Sequence, residues 1–372
     1  MATVNFIKSG SQLKASILKV YLDCSPLTNT QVSGIGVYNK NLFLELKNQL
    51  KGDVSPVLKW SRLRKSSIVS EHINTKVKAL PPFLFNKEIV YHGTDHKLNT
   101  RSSGPLVVTI HDMQPFVDKW LDPKFAKSRR DLMTKVLNSD VQRIIAISHF
   151  TKNEIIKYFP NCASKIDVVY HGHNFKSVTA SSNDEKNVIK TISKGRPFLF
   201  FVGNIEERKN LINQIKAFEI IKERHKDLIF IISGKPGFNY QETADYIAYS
   251  KVKADIYVTG YLSEAEKNYA VLNTSCFMFA SWYEGFGIPV IEALASNTNI
   301  VTSRTSSLIE IGKGYVHQCN PKDPHDIACT VEIIMEKGNL KKVNLDSFQD
   351  EWSWKKCALE TIDVYKKSFD YM

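Results

Sequence analysis

The chain has 372 residues, 43% hydrophobic and 24% charged, and carries a net charge of +12. That length exceeds one ordinary core, so two domains are expected, and no apolar run approaches the roughly 18 residues that a membrane-spanning helix needs. The six cysteines (Cys24, Cys162, Cys276, Cys319, Cys329 and Cys357) form no CxxC pair or metal-ligand spacing, and with no signal-peptide core before Lys14 they read as reduced thiols of a cytoplasmic protein.

Along the chain a beta-alpha rhythm runs through both halves. Strands are predicted near Ile17, Val54, Ile89, Val107, Ile144 and Ile166, then near Leu199, Leu228, Ile256, Cys276, Ile300 and Tyr315. After the first strand, Gly34-Ile35-Gly36 opens a helical pattern through Val37, Leu42, Phe43 and Leu46. A dinucleotide fingerprint would need glycine where Asn39 stands, so a Rossmann cofactor is not expected. The strand Val107–Ile110 delivers His111 and Asp112, two titratable residues, to a loop. Arg143–Ile147 is a further strand, and Ser148 can cap a helix beginning near Lys152. Lys176–Gly195, rich in Ser, Asn, Asp and Lys, reads as a linker or exposed loop.

In the second half, Phe198–Val202 has the look of a buried strand, broken by Gly203. Arg208 and Lys209 then fall in a strand-to-helix loop at the carboxyl edge of a parallel sheet, where ligands usually bind. Arg presents a planar fork to phosphate oxygens and Lys a point charge. Cys276–Ala280 leads into Glu284-Gly285-Phe286-Gly287-Ile288-Pro289-Val290-Ile291-Glu292. The glycines allow a tight turn, and the run from Pro289 reads as a helix start whose free N–H groups suit a phosphate. Glu284 precedes that helix and Glu292 lies about a turn inside it, so two carboxylates can reach opposite ends of one ligand. Carboxylates accept hydrogen bonds in pairs, as vicinal hydroxyls of a sugar or ribose require. Together these groups point to a nucleotide sugar. The chain ends on a helix with Ser353 as N-cap and apolar residues at Trp354, Leu359, Ile362 and Tyr365.

The segment from Glu284 to Glu292 resembles the E-x7-E motif of retaining family-4 glycosyltransferases, two-domain enzymes of the GT-B fold. Phe200 to Asn210 resembles their VG…RKN signature, Val107 to Asp112 their T-x-H-D, and Ser148 to Thr151 their S-x-F-[ST] turn. Ser33 to Tyr38 matches S-G-I-G-x-Y, Gly260 to Ser263 the G-[YF]-[VL]-[SP] step, and Ser306 to Glu310 the S-S-L-P-E segment with Ile309 for proline. Tyr170 to Asn174 occupies the place of N-G-V-D, with only Gly172 kept. Ser296 to Asn299 stands where the family has C-G-T-P, which changes turn preference but removes no catalytic group.

The resemblance implies an α/β fold of two Rossmann-like domains facing across a cleft. Residues 1–178 would form the acceptor-binding domain, residues 195–354 the donor-binding domain, and 355–372 a helix crossing back to the first. It implies Arg208 and Lys209 on the donor diphosphate, Glu292 on the ribose, and Glu284 with the Gly285–Gly287 backbone at the transferred sugar or its phosphate. His111 would lie against the donor sugar, with Gly34, Gly36, Gly203, Tyr261 and Phe286 around the donor and Asp112 and Ser148 on the acceptor side. Catalysis would be carried by His111, Glu284, Arg208 and Lys209. No metal or resident cofactor is implied. The E-x-R-K-N form looks most like mannosyltransferases of surface-polysaccharide and lipopolysaccharide assembly, so GDP-mannose is the first donor expected and a UDP-sugar the second.

The positive charge gathers in Lys59, Arg62, Arg64 and Lys65 beside Trp60, and in Lys119 to Lys135 among Trp120, Phe125, Leu132 and Met133. Such mixtures suit an anionic membrane face, at about 1 kcal/mol per basic residue, and lipid-linked saccharides are frequent acceptors in the family. Solvated helix faces are the alternative. No nucleic-acid-binding motif accompanies the charge, so nucleic acid is not an expected partner. A sugar-nucleotide 2-epimerase and a non-catalytic nucleotide-sugar-binding subunit are the other readings; the first lacks placed acid and base residues, and the second is opposed by the intact Glu284, Glu292, Arg208, Lys209 and His111.

Overall fold

Strands buried on both faces read as continuous apolar runs, and two all-parallel sheets account for those in this chain. The computed structural model describes residues 18–117, 119–174 and 187–371. Its first half contains β1 (Lys19–Asp23), β2 (Val54–Lys59), β3 (Lys78–Leu80), β4 (Phe83–Leu84), β5 (Ile89–Gly93), β6 (Arg101–Ser102), β7 (Leu106–Ile110), β8 (Arg143–Ala146) and β9 (Ile166–Val168). Seven of these form one sheet in the order β3-β2-β1-β5-β7-β8-β9, with β4 and β6 paired separately. The second half contains β10 (Phe198–Val202), β11 (Ile229–Ser233), β12 (Ile256–Gly260), β13 (Cys276–Phe279), β14 (Ile300–Ser303) and β15 (His317–Cys319). They form a second sheet, in the order β12-β11-β10-β13-β14-β15.

Both orders reverse direction once. In the first sheet the chain steps outward from β1 through β2 and β3, then returns to place β5 on the other side of β1. In the second it steps from β10 to β11 and β12, then returns to place β13 beside β10. Loops leaving the strand ends at such a reversal diverge and open a crevice, the usual ligand position in open α/β sheets. The β10 and β13 loops carry Arg208, Lys209 and Glu284, and the β1 and β5 loops carry Asp23 and Thr94.

One continuous core surrounds the second sheet, with Phe200, Phe201, Phe230, Phe277 and Phe279 fully or almost fully buried. The first sheet is covered on its faces by separate clusters. The last helix, Trp354–Ser368, belongs to the first of these and packs on the helix Gly34–Gln49. Ser353 caps it, accepting from the Lys356 N–H at 3.0 Å. Its Tyr365 hydroxyl lies 2.7 Å from Nδ1 of buried His92. The chain thus crosses back to the first unit. The buried stripe differs from expectation at one position: Leu359 is 43% exposed, while Cys357, Ala358 and Thr361 are buried. A stripe spaced at three and four residues from Trp354 and Tyr365 leaves Leu359 on the outer face.

The polar stretch Lys176–Gly195 lies partly outside the described residues. Its described end is a short helix, Val188–Ser193, capped by Asn187 and anchored by fully buried Ile189. One large apolar residue with a good N-cap is enough to dock a turn and a half there.

Candidate functional site

The site is built from the loop endings at the second sheet's reversal. After β10 the chain passes Gly203, whose N–H donates to the Ser233 carbonyl at 3.0 Å, and makes a 3-10 turn, Glu207–Lys209, before the helix Leu211–Lys222. After β13 it runs through Glu284 to the helix Ile288–Ala295. Gly287 caps that helix at φ 118°, a conformation an L side chain resists. The Ser306 hydroxyl accepts from the Glu284 N–H at 3.0 Å, while the Ser307 hydroxyl donates to the carbonyls of Glu284 and Phe286 at 2.9 and 2.7 Å. The loop is therefore held by its backbone, and the Glu284 side chain is left for other partners.

Those partners are the two cations. Arg208 Nη1 donates to Glu284 Oε2 at 2.9 Å and to the Tyr283 carbonyl at 2.7 Å, and Nη2 donates to Glu206 at 2.6 Å. Lys209 Nζ donates to Glu284 Oε1 at 2.7 Å. Burial opposes charge on Glu284, but Lys209 and Arg208 overcome it and bring its pKa down to about 2. Burial likewise opposes charge on Arg208, and Glu284, Glu206 and Asp112 together raise its pKa. Lys209 moves the other way, because burial lowers its pKa by more than Glu284 restores. The ionised carboxylate 2.7 Å away opposes that fall. Arg208 Nε is buried with no protein partner among the described residues, so one guanidinium edge retains an unused donor.

The opposing half reaches this loop through His111. Its Nε2 lies 2.9 Å from the Thr94 carbonyl, an acceptor only, so Nε2 carries the proton and Nδ1 is the acceptor of the neutral ring. Burial lowers the imidazole pKa, and the Asp95 charge and the Thr94 bond offset that only in part. Asp112 accepts from the Gln114 N–H at 3.0 Å and acts electrostatically on Arg208, so it faces the cation pair. Tyr38 and His171 flank the His111 ring, at 5.0 and 5.6 Å between centroids.

Ser148 is fully buried at this junction. Its hydroxyl donates to the Gly285 carbonyl at 2.7 Å and accepts from the Thr151 N–H at 3.0 Å, capping a helix that begins at His149 rather than Lys152. Both roles are structural. Glu310, from the second half, accepts from the N–H groups of His149 and Phe150 at 3.1 and 2.9 Å and from the Tyr170 hydroxyl at 2.9 Å. It supplies a carboxylate to the positive end of the opposite half's helix.

The remaining residues sit farther out. Glu292 accepts from Lys267 Nζ at 3.1 and 3.3 Å, and Lys267 also pairs with Glu264 at 3.0 Å. Burial raises the Glu292 pKa despite Lys267. Tyr261, just past β12, is exposed, with Lys235 over its ring at 5.3 Å. Phe286 is buried among Tyr170, His171 and Trp352, so it can offer a ligand only its backbone. Gly34 and Gly36 form the first turn of the helix Gly34–Gln49, whose cap Ser33 accepts from the Gly36 N–H at 3.3 Å.

Glu206, Lys267 and His171 escaped the sequence reading. His171 is buried beside His111 with no partner for either ring nitrogen among the described residues. Lys267 has one legible signal, its i,i+3 spacing to Glu264 behind the Ser263 cap. Glu206 stands as the first residue of the E-x-R-K-N form, but that form does not show that its carboxylate pairs with Arg208.

The chain is similar to known proteins in sequence and fold. The family profile described as "Glycosyl transferases group 1" matches residues 182–344, and "Glycosyltransferase Family 4" matches residues 88–176. The "O-antigen chain mannosyltransferase B" of Escherichia coli is 24% identical over 288 residues, covering 75% of this chain and 74% of that protein. Among solved structures, a sucrose-phosphate synthase from Thermosynechococcus elongatus superposes with a TM-score of 0.69 at 13% identity, over 95% of this chain and 100% of that one. HepE of Anabaena, solved with UDP and glucose, gives 0.69 at 12% identity over 94% and 99%. The chain belongs to the group 1, family-4 glycosyltransferases and has their GT-B fold.

Proposed function

We propose that this protein transfers a hexose, with retention, from a nucleotide sugar to a glycan or lipid-linked saccharide, the donor resting on the second sheet's unit and the acceptor on the first. The carrying observation is the buried Arg208–Lys209–Glu284 cluster at the second reversal, facing His111 across the junction. In the free protein Glu284 pairs with both cations and Glu206 with Arg208, and the donor diphosphate takes up their unused donor capacity. His111 Nδ1 accepts from a sugar hydroxyl, and Glu292, beside Lys267, accepts from the ribose hydroxyls. The acceptor oxygen bonds to the anomeric carbon on the face the diphosphate leaves, and the acceptor proton passes to the departing phosphate oxygen. Arg208 and Lys209 stabilise the charge developing there, in a site whose closure excludes water. That pair meets the charge without a divalent ion, since Glu206 and Glu284 are already engaged by it.

The likeness to an O-antigen mannosyltransferase supports GDP-mannose as first donor; the HepE complex supports a UDP-sugar as second. Among the described residues no helix is long and apolar enough to cross a membrane. Exposed Trp60, Phe125 and Leu132 among basic residues support peripheral contact on the cytoplasmic face. The test is nucleoside diphosphate release from GDP-mannose and UDP-sugars in EDTA, wild type against Lys209→Ala. Turnover by the wild type and a loss of at least about a hundredfold in the variant are expected. Unchanged turnover in Lys209→Ala would sink the assignment.

A further inference from the structure

Tyr283 lies between β13 and Glu284, and the backbone around it is tied to Arg208 from two sides. The Trp282 N–H donates to the Arg208 carbonyl at 2.9 Å, and the Tyr283 carbonyl accepts from Arg208 Nη1 at 2.7 Å. The Ser303 hydroxyl donates to the Ser281 carbonyl at 2.6 Å, which fastens the same segment to β14. The tyrosine side chain belongs to the other half of the molecule. Its ring lies edge-on to Phe150 at 5.3 Å and beside Trp120 at 6.1 Å between centroids. Its hydroxyl accepts from the Met113 N–H at 3.1 Å.

Met113 follows His111 and Asp112 and is fully buried in the first half's core, so this bond ends on a fixed point. The turn beyond it is shaped around the tyrosine. Buried Gln114 donates through Nε2 to the Trp120 carbonyl at 3.0 Å. Trp120 itself sits at φ 63°, a left-handed conformation that bulky residues rarely adopt. Backbone held away from its usual minimum persists where its surroundings over-determine it, and it gathers at functional sites. Burial raises the pKa of the Tyr283 phenol and the Asp112 charge adds to this, so the oxygen meets Met113 as a neutral hydroxyl. The same Asp112 charge acts on Arg208.

Packing accounts for the ring but not for the hydroxyl, since phenylalanine would fill the same space between Phe150 and Trp120. The hydroxyl adds a directional bond between the backbone that grips Arg208 and the backbone that carries His111 and Asp112. We propose that Tyr283 is a positioning residue for the transfer step, holding the His111–Asp112 turn in register with the Arg208–Lys209–Glu284 cluster through its bond to the Met113 N–H. The inference rests on the transferase reading, and its test separates the two.

The test follows nucleoside diphosphate release by the whole protein from whichever of GDP-mannose and UDP-sugars the wild type turns over, beside calorimetric binding of the matching nucleoside diphosphate. Tyr283→Phe should lower kcat about tenfold and leave nucleotide affinity within about threefold. In a double-mutant cycle, adding Tyr283→Phe to His111→Ala should lower the single-turnover rate by less than about threefold, because the tyrosine acts through His111. Trp120→Leu, at a half-buried position on the other side of the ring, should give a smaller loss of the same kind and carries the test if Tyr283→Phe folds poorly. Unchanged kcat in Tyr283→Phe overturns the inference. Equal loss of kcat and nucleotide affinity does so too, since it would make the tyrosine part of donor binding. Losses that multiply in the cycle also overturn it, because a tyrosine that only packs acts independently of His111. No turnover of any nucleotide sugar by the wild type would instead strike the transferase reading, and the inference with it.

Discussion

A Cβ at position 285 would stand 1.9 Å from the carbonyl oxygen of His111. The two halves of the molecule meet backbone to backbone at the loop that carries Glu284, with no space for a methyl group between them. The Ser148 hydroxyl fixes the far side of the same peptide by donating to the Gly285 carbonyl. Gly285→Ala should therefore push the halves apart and misplace His111 relative to Glu284. A misplacement of about 1 Å can cost about a hundredfold in rate. Turnover should fall by about that factor while nucleotide binding to the second unit persists within a few-fold. Steady-state kinetics beside nucleotide titration would separate the two effects, and equal loss of both would contradict the geometry.

Glu310 and the helix beginning at His149 give the second prediction. The carboxylate satisfies two N–H groups that the helix cannot pair internally. Glu310→Ala should cost about 1–2 kcal/mol, as loss of an N-cap does, and Glu310→Gln less, since its amide oxygen still accepts. Urea denaturation reads both values. Identical midpoints for the two variants would remove the capping role.

Glu284 makes stability depend on acid. Its pKa is about 2 in the folded protein against an ordinary 4.5. The unfolded chain therefore takes up the proton first as pH falls. The contribution is complete above about pH 4.5 and disappears as pH drops toward 2, and it amounts to about 3 kcal/mol by linkage. Glu284→Gln should be less stable than the wild type at pH 7 by about that amount, with the gap closing below about pH 4.5. Stability curves that run parallel from about pH 7 to pH 3 would show that Glu284 is not held ionised by Arg208 and Lys209.

Lys267 sets the ionisation of Glu292. Burial already raises that carboxyl's pKa, and Lys267 restrains the rise. Lys267→Met should raise it further, moving the acid limb of the donor kcat/KM profile to higher pH. For every pH unit that the limb moves, the rate at a pH below it falls about tenfold. Activity on the acid limb should fall much more than activity well above it. A uniform fall across the range would assign Lys267 a purely structural role.

The central strands were legible because both faces of each are buried, so Phe198–Val202 and Cys276–Phe279 carry no polar interruption to hide them, whereas the short, partly exposed β3, β4 and β6 left no such signal. That Arg208, Lys209 and Glu284 share one ligand site was legible through the same logic, since parallel strands send their loops to one edge, but their direct ion pairing was not. Contacts between halves were not. Glu310 caps a helix whose N-terminus lies 161 positions away, and Lys267 reaches Glu292 across 25. No local pattern encodes either pairing. Ser148 was read correctly as a cap, but its second bond, to Gly285, depends on how the two units dock. The two basic clusters of the first half were visible, whereas their convergence on one cavity required the β1–β5 reversal to be seen.

The most direct measurement of the central claim is a calorimetric titration of GDP, UDP and ADP, and of their sugar conjugates, into the wild type and Glu292→Ala. A nucleotide sugar should bind with its base family clearly preferred, and Glu292→Ala should weaken it at least about tenfold by removing the acceptor for the ribose hydroxyls. Absence of binding by every nucleotide, or undiminished binding in Glu292→Ala, would contradict the placement of a nucleotide-sugar donor at the second sheet's reversal.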